Sequence, residues 1–137
     1  MPGINELIRV EENGNLSFGN YELNTKSKVE NFEHEGDLYK VKTFHEITKL
    51  ERNGMFVYES VPGTTVTKFS VRDTVVSFRV EGAKDAQITL QLEDDMDYEI
   101  FEDGVAVGGM KTNMSGKLSL SVELSEGRCV EVKVVQK

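Results

Sequence analysis

Toward its C-terminal end the chain places an apolar side chain at every second position, segment after segment. In Gln87 to Glu93 the apolar set is Ile88, Leu90 and Leu92, and in Leu118 to Leu124 it is Leu118, Leu120, Val122 and Leu124. Val130, Val132 and Val134 repeat the pattern once more. Successive side chains of a strand point to opposite faces, so each segment has one oily face and one wet face. An oily face needs a second layer to cover it. The pattern predicts an all-β fold, an antiparallel sandwich of immunoglobulin-like or jelly-roll-like type.

The same reading carries back through the chain. Strands are expected over 66–71, 74–81, 86–93, 98–102, 105–111, 117–124 and 128–135. Turns fall between them at Gly82, Asp103-Gly104, Ser115-Gly116 and Glu126-Gly127. That spacing belongs to a sandwich or barrel. Gly108-Gly109 inside one of these strands predicts a bulge or bend. Pro62-Gly63 is the clearest internal punctuation, since proline fits poorly within a central strand. Before it lies a less regular N-terminal meander, with strands expected at 7–10, 16–18, 21–23 and 38–43. Residues 43–52 are ambiguous: Phe44, Ile47 and Leu50 recur at helical spacing, and Thr43 with Glu46 fits a capping box. The Asn53-Gly54 pair between two apolar runs is the stronger signal and favours a strand turning there into a hairpin. No low-complexity linker interrupts the chain. Residues 1–137 are read as one domain, divisible at most into a meander at 1–61 and a regular sandwich core at 64–137.

Composition agrees. Only Ala83, Ala86 and Ala106 supply the best helix former, whereas valine is the commonest apolar residue. With 38% hydrophobic and 29% charged residues in 137, the chain has enough apolar surface for a core and no signature of disorder. A net charge of −8 and no visible cluster of Lys or Arg with interleaved aromatics argue against nucleic-acid and anionic-membrane partners. A single cysteine, Cys129, rules out an intrachain disulfide, and its position in a strand predicts an inert buried thiol. The first residues lack a basic start and an apolar run, so a cytoplasmic location is expected.

Few side chains point to chemistry. Asp94, Asp95 and Asp97, beside Glu93, are the one acidic run that offers oxygen ligands for calcium, although EF-hand spacing is absent. His34 and His45 are too few for a zinc site by themselves. No phosphate-binding glycine loop and no GxSxG elbow occur, and no organic cofactor is expected. Tyrosines are amphipathic, so Tyr39, Tyr58 and Tyr98 on expected strands are the candidates for contact with a glycan.

Tyr58-Glu59-Ser60-Val61-Pro62-Gly63-Thr64, Val80-Glu81-Gly82 and Asp85-Ala86-Gln87-Ile88-Thr89-Leu90 resemble a small family of clostridia-type bacteria. Leu16 to Tyr21 and Lys111 to Leu118 extend the resemblance over nearly the whole chain. Members often carry the label endosialidase, or endosialidase catalytic beta chain, which implies action on sialic-acid glycans. No sialidase catalytic residue maps onto this sequence: the Ser-x-Asp-x-Gly-x-Thr-Trp boxes are missing, and the chain has no tryptophan. Such enzymes are also six-bladed propellers, too large for this length. The segment from Tyr98 to Val122 also resembles the closing strands of accessory β-sandwich domains on carbohydrate-active enzymes. The expectation is a non-catalytic binding or assembly module for a protein or glycan, associating through sheet edges, with a glycan-active protein as the alternative.

Overall fold

The computed structural model describes residues 4–72 and 74–137, and its regular elements are all strands. In chain order they are β1 (Ile8–Val10), β2 (Leu16–Phe18), β3 (Ser27–His34), β4 (Asp37–Phe44), β5 (Ile47–Arg52), β6 (Met55–Val61) and β7 (Thr65–Arg72). Then follow β8 (Val75–Glu81), β9 (Ala86–Gln91), β10 (Asp97–Glu102), β11 (Val105–Lys111), β12 (Lys117–Val122) and β13 (Cys129–Gln136). Two antiparallel sheets result. Sheet A has seven strands in the order β1-β2-β7-β8-β13-β10-β11, and sheet B has six in the order β12-β9-β6-β5-β4-β3. The protein is an all-β sandwich.

The alternating residues fill the space between the sheets. Ile88 and Leu90 of β9, Leu118, Leu120 and Val122 of β12, and Val130, Val132 and Val134 of β13 are all essentially inaccessible. Tyr58 meets the rings of Phe18, Phe69 and Phe78 edge to face, with centroids 5.3 Å apart for Phe18–Tyr58 and 5.7 Å for Tyr58–Phe78. These contacts carry β6 of sheet B onto β2, β7 and β8 of sheet A, and each such pair adds about 0.5–1.5 kcal/mol beyond the area it buries.

Residues 43–52 contain no helix. They also hold one turn more than expected: β4 runs to Phe44, His45 and Glu46 make a two-residue reversal, and β5 then leads to the Asn53-Gly54 turn. Tyr21 to Leu23, expected as a strand, is a turn between β2 and β3. Its position is fixed by Asn20, whose backbone N–H donates to Thr43 Oγ1 at 2.9 Å. Cys129 is exposed rather than buried. It precedes Val130, so alternation turns its side chain away from the core.

Candidate functional site

The turns joining β1 to β2, β3 to β4 and β5 to β6 lie at one end of the sandwich, where β7 ends at Arg72. There the sheets part to leave a cleft of about 410 Å³. Its floor is apolar, from Val57, Phe69, Val76, Leu90 and Leu92, and Phe56 adds to the lining. Its rim is polar, from Asn13, His34, Glu35, Asp37, Tyr39, Arg52 and Arg72. An apolar floor with a few converging polar groups is the usual form of a small-molecule site.

Sheet register places the key side chains. Tyr39 pairs directly with Arg52, two residues from the Val41–Leu50 pair in each strand. Alternation therefore puts Tyr39 and Arg52 on the core-facing side of sheet B, at its open end. Arg72 ends β7 on the opposite sheet, so each wall of the cleft contributes one arginine to its lining. Burial pushes the Tyr39 phenol above its ordinary range, and the Arg52 guanidinium beside it opposes that rise. The His34 ring stands 6.2 Å from the Tyr39 ring, and His34 Nε2 lies 3.8 Å from the Glu35 carboxylate.

Asn53 holds this rim together. With φ at +53° in the tight β5–β6 turn, it donates through Nδ2 to Asp37 Oδ1 at 2.9 Å and accepts from Leu38 N–H at 2.9 Å. Its own N–H donates to Leu38 O at 2.7 Å. One side chain thus fastens the β3–β4 hairpin to the β5–β6 hairpin, and both carry rim residues.

Of the three tyrosines expected to face a glycan, only Tyr39 lines this cleft. Tyr58 is fully buried, with its hydroxyl engaged by Thr64. Tyr98 is 3% exposed, and its hydroxyl accepts from Glu93 N–H at 3.2 Å. Both sit on inward positions of their strands, where a tyrosine serves the core. Asp94, Asp95 and Asp97 are exposed on and beside the β9–β10 turn, and Asp95 pairs with Lys111 at 3.4 Å. Among the described residues no three His, Cys, Asp or Glu side chains converge as a metal site requires. The participation of Arg52, Arg72, His34 and Phe56 was invisible in the sequence, because stacking of the two sheets, not spacing along the chain, brings them together.

A broader depression of about 740 Å³ lies at the opposite end, among Tyr21, His45, Glu46, Pro62 and Lys84. Burial raises the Tyr21 phenol to about 12, with Glu126, Glu22 and Glu81 adding to the shift. Among the described residues, Lys84 is the one Lys or Arg in its lining. Searches against protein-family models, curated proteins and solved structures return no match to this chain.

Proposed function

We propose that the chain is a non-catalytic recognition module whose ligand, an acidic glycan unit or a similar polar carboxylate, occupies the inter-sheet cleft. The observation that carries this reading is that Arg52 and Arg72, from opposite sheets, line one cleft with Tyr39 and an apolar floor. Guanidinium forks match a carboxylate bidentately, and an aromatic ring with a polar tip suits the face and hydroxyls of a sugar. The carboxylates of the rim are already engaged in positioning: Asp37 with Asn53 and Glu35 near His34. That supports binding over turnover.

The presence of Glu35 and Asp37 on the same rim favours the rival reading, hydrolysis of a glycan by two carboxylates. NMR titration with glucuronic acid, with glucose as the neutral control, separates the two. Binding of the acid alone, weakened at least tenfold by Arg52→Ala and by Arg72→Ala, is the expected result. Absence of any binding to acidic saccharides overturns the proposal. So does turnover of an acidic oligosaccharide that Glu35→Gln or Asp37→Asn abolishes.

A further inference from the structure

The two sheets differ by one strand. β1 packs across the sandwich against β3, and the Phe18, Tyr58, Phe69 and Phe78 contacts place the central strands opposite one another. Counting outward from there, β12 ends sheet B opposite β10, and among the described residues β11 of sheet A has no strand facing it. The exposure of β11 follows. All seven of its residues are exposed, although Val105, Val107 and Met110 are apolar, at 64%, 54% and 39%. Met110 opposes Tyr98 and Val105 opposes Glu102, positions on the core side of β10, so this apolar strip faces the place a further strand of sheet B would take.

That place is bounded by the outer edge of β12. Its inner side chains, Leu118, Leu120 and Val122, are buried, and its pairing with β9 runs from Lys117 to Val122 without a bulge. The other free edges are poorer acceptors: β1 has three residues, and β3 and β11 are each bulged. The molecule therefore carries one surplus strand and one vacant strand position, side by side.

We propose that a second copy of this chain fills the vacancy, with β11 of each copy lying along β12 of the other. The geometry closes. The antiparallel ladders and short turns make β11 run opposite to β12 within one chain. A twofold axis parallel to the strands keeps strand directions and exchanges the layers. The partner's β11 thus reaches β12 in the antiparallel sense that every other pair here adopts. The same rotation forms both seams and presses the two Val105 and Met110 strips together. Each layer becomes one continuous sheet, seven strands from one copy and six from the other. The contact is isologous and closed, so it stops at a dimer.

Two strand seams and the facing apolar strips bury on the order of 1,200 Å², the lower end of what a specific interface needs. A net charge of −8 on each copy opposes approach. The dimer is therefore concentration-dependent and tightens with salt, opposite to a contact held by ion pairs. This inference is independent of the ligand cleft, which lies at the end of the sandwich rather than along this side.

Sedimentation of the full chain across a concentration series, at low and high salt, tests it, with amide hydrogen exchange on the same samples. The expected result is a monomer–dimer equilibrium shifted toward dimer by salt, with slowed exchange confined to β11 and β12. Val105→Lys combined with Met110→Lys should leave a folded monomer throughout the series. Ala106→Pro should do the same. The Glu102–Val105 pair closes a two-residue turn, which aims the Ala106 N–H away from β10. A wild-type chain that stays monomeric, protection along β1 or β3 instead, or a dimer indifferent to the lysine pair overturns the proposal. Hydrogen exchange on the wild-type chain decides the matter even if a variant fails to fold.

Discussion

The Tyr58 hydroxyl lies 2.8 Å from the Thr64 hydroxyl, and neither side chain reaches solvent. Ser60 Oγ approaches the same Thr64 oxygen at 2.8 Å. The backbone of Thr64 is held in turn by Thr48, whose Oγ1 donates to Thr64 O at 2.7 Å and accepts from its N–H at 3.0 Å. Thr43 Oγ1 stands 2.8 Å from that hydroxyl and also accepts from Asn20 N–H. Five hydroxyls thus lock the β6–β7 corner to the β4–β5 hairpin across the closed end of the sandwich. Among the described residues, no buried side-chain polar atom lacks a partner.

Thr64→Val is expected to cost about 1–3 kcal/mol, because it strands the hydroxyls of Tyr58 and Ser60 in a dry site. Tyr58→Phe should cost less, since Thr64 keeps Ser60. Urea unfolding of both variants checks the order, and a Tyr58→Phe loss exceeding that of Thr64→Val contradicts the network.

Gly19→Ala and Gly63→Ala should both be severely destabilised. A Cβ on Gly19 would come within 2.5 Å of Thr64 O, at a φ of +95° that already disfavours any side chain. A Cβ on Gly63 would collide with the Phe44 carbonyl oxygen. Gly54→Ala is the control for positive φ without a clash, because nothing lies within 4 Å of its added methyl. Its cost should be distinctly the smallest of the three by thermal unfolding.

Stability should fall on the alkaline side. The Tyr21 phenol is held at about 12 in the folded protein, against about 10 in an unfolded chain. The folded state keeps its proton longer, so this contribution is intact below pH 10 and disappears as pH climbs toward 12. Tyr21→Phe should flatten that part of the stability profile. An unchanged slope in denaturant titrations would remove Tyr21 as its source.

Lys42→Glu is expected to stabilise the protein by about 0.5–1 kcal/mol at low ionic strength. Lys28, Lys42 and Lys49 stand directly opposite one another across β3, β4 and β5. Lys28 and Lys49 have Glu30 and Glu51 as partners, at 2.9 and 3.5 Å, and among the described residues no ion pair joins Lys42. The gain should shrink with added salt, and urea unfolding at two salt concentrations reads it directly.

The Cys129 thiol should react slowly with a disulfide reagent at neutral pH despite its exposure. Partial desolvation raises its pKa, and the Glu81 carboxylate adds to the shift. Reactivity should therefore rise only at alkaline pH. Rapid labelling near neutrality would show a thiolate that this environment does not support.

The strands with one buried face were readable because burial enforces the period of two: 88-90, 118-120-122 and 130-132-134 are all inaccessible, and Leu92 is half-buried. β3 was harder to see, since an edge strand with half-covered Val29 and Phe32 has no strict inner face. The His45-Glu46 reversal carries neither Gly nor Pro, so nothing separated it from the strands on either side. Tyr58 and Tyr98 look like surface tyrosines until their partners are known, and a hydroxyl satisfied by Thr64 or by Glu93 N–H leaves no mark in composition. Arg52 and Arg72 come to line one cleft through sheet stacking, and the lysine row arises from register. Both are products of tertiary pairing, which no local pattern encodes.

The strand order also separates the chain into segments that should organise at different speeds. From β3 to β6 each strand lies beside its sequence neighbour, so this meander needs only short loops to close. Sheet A ties Leu16 to Phe69 and Val76 to Val134, which demands closure of long chain segments before any pairing is rewarded. Refolding should therefore protect the amides of β4 and β5 first, while the β2–β7 and β8–β13 ladders set the overall rate.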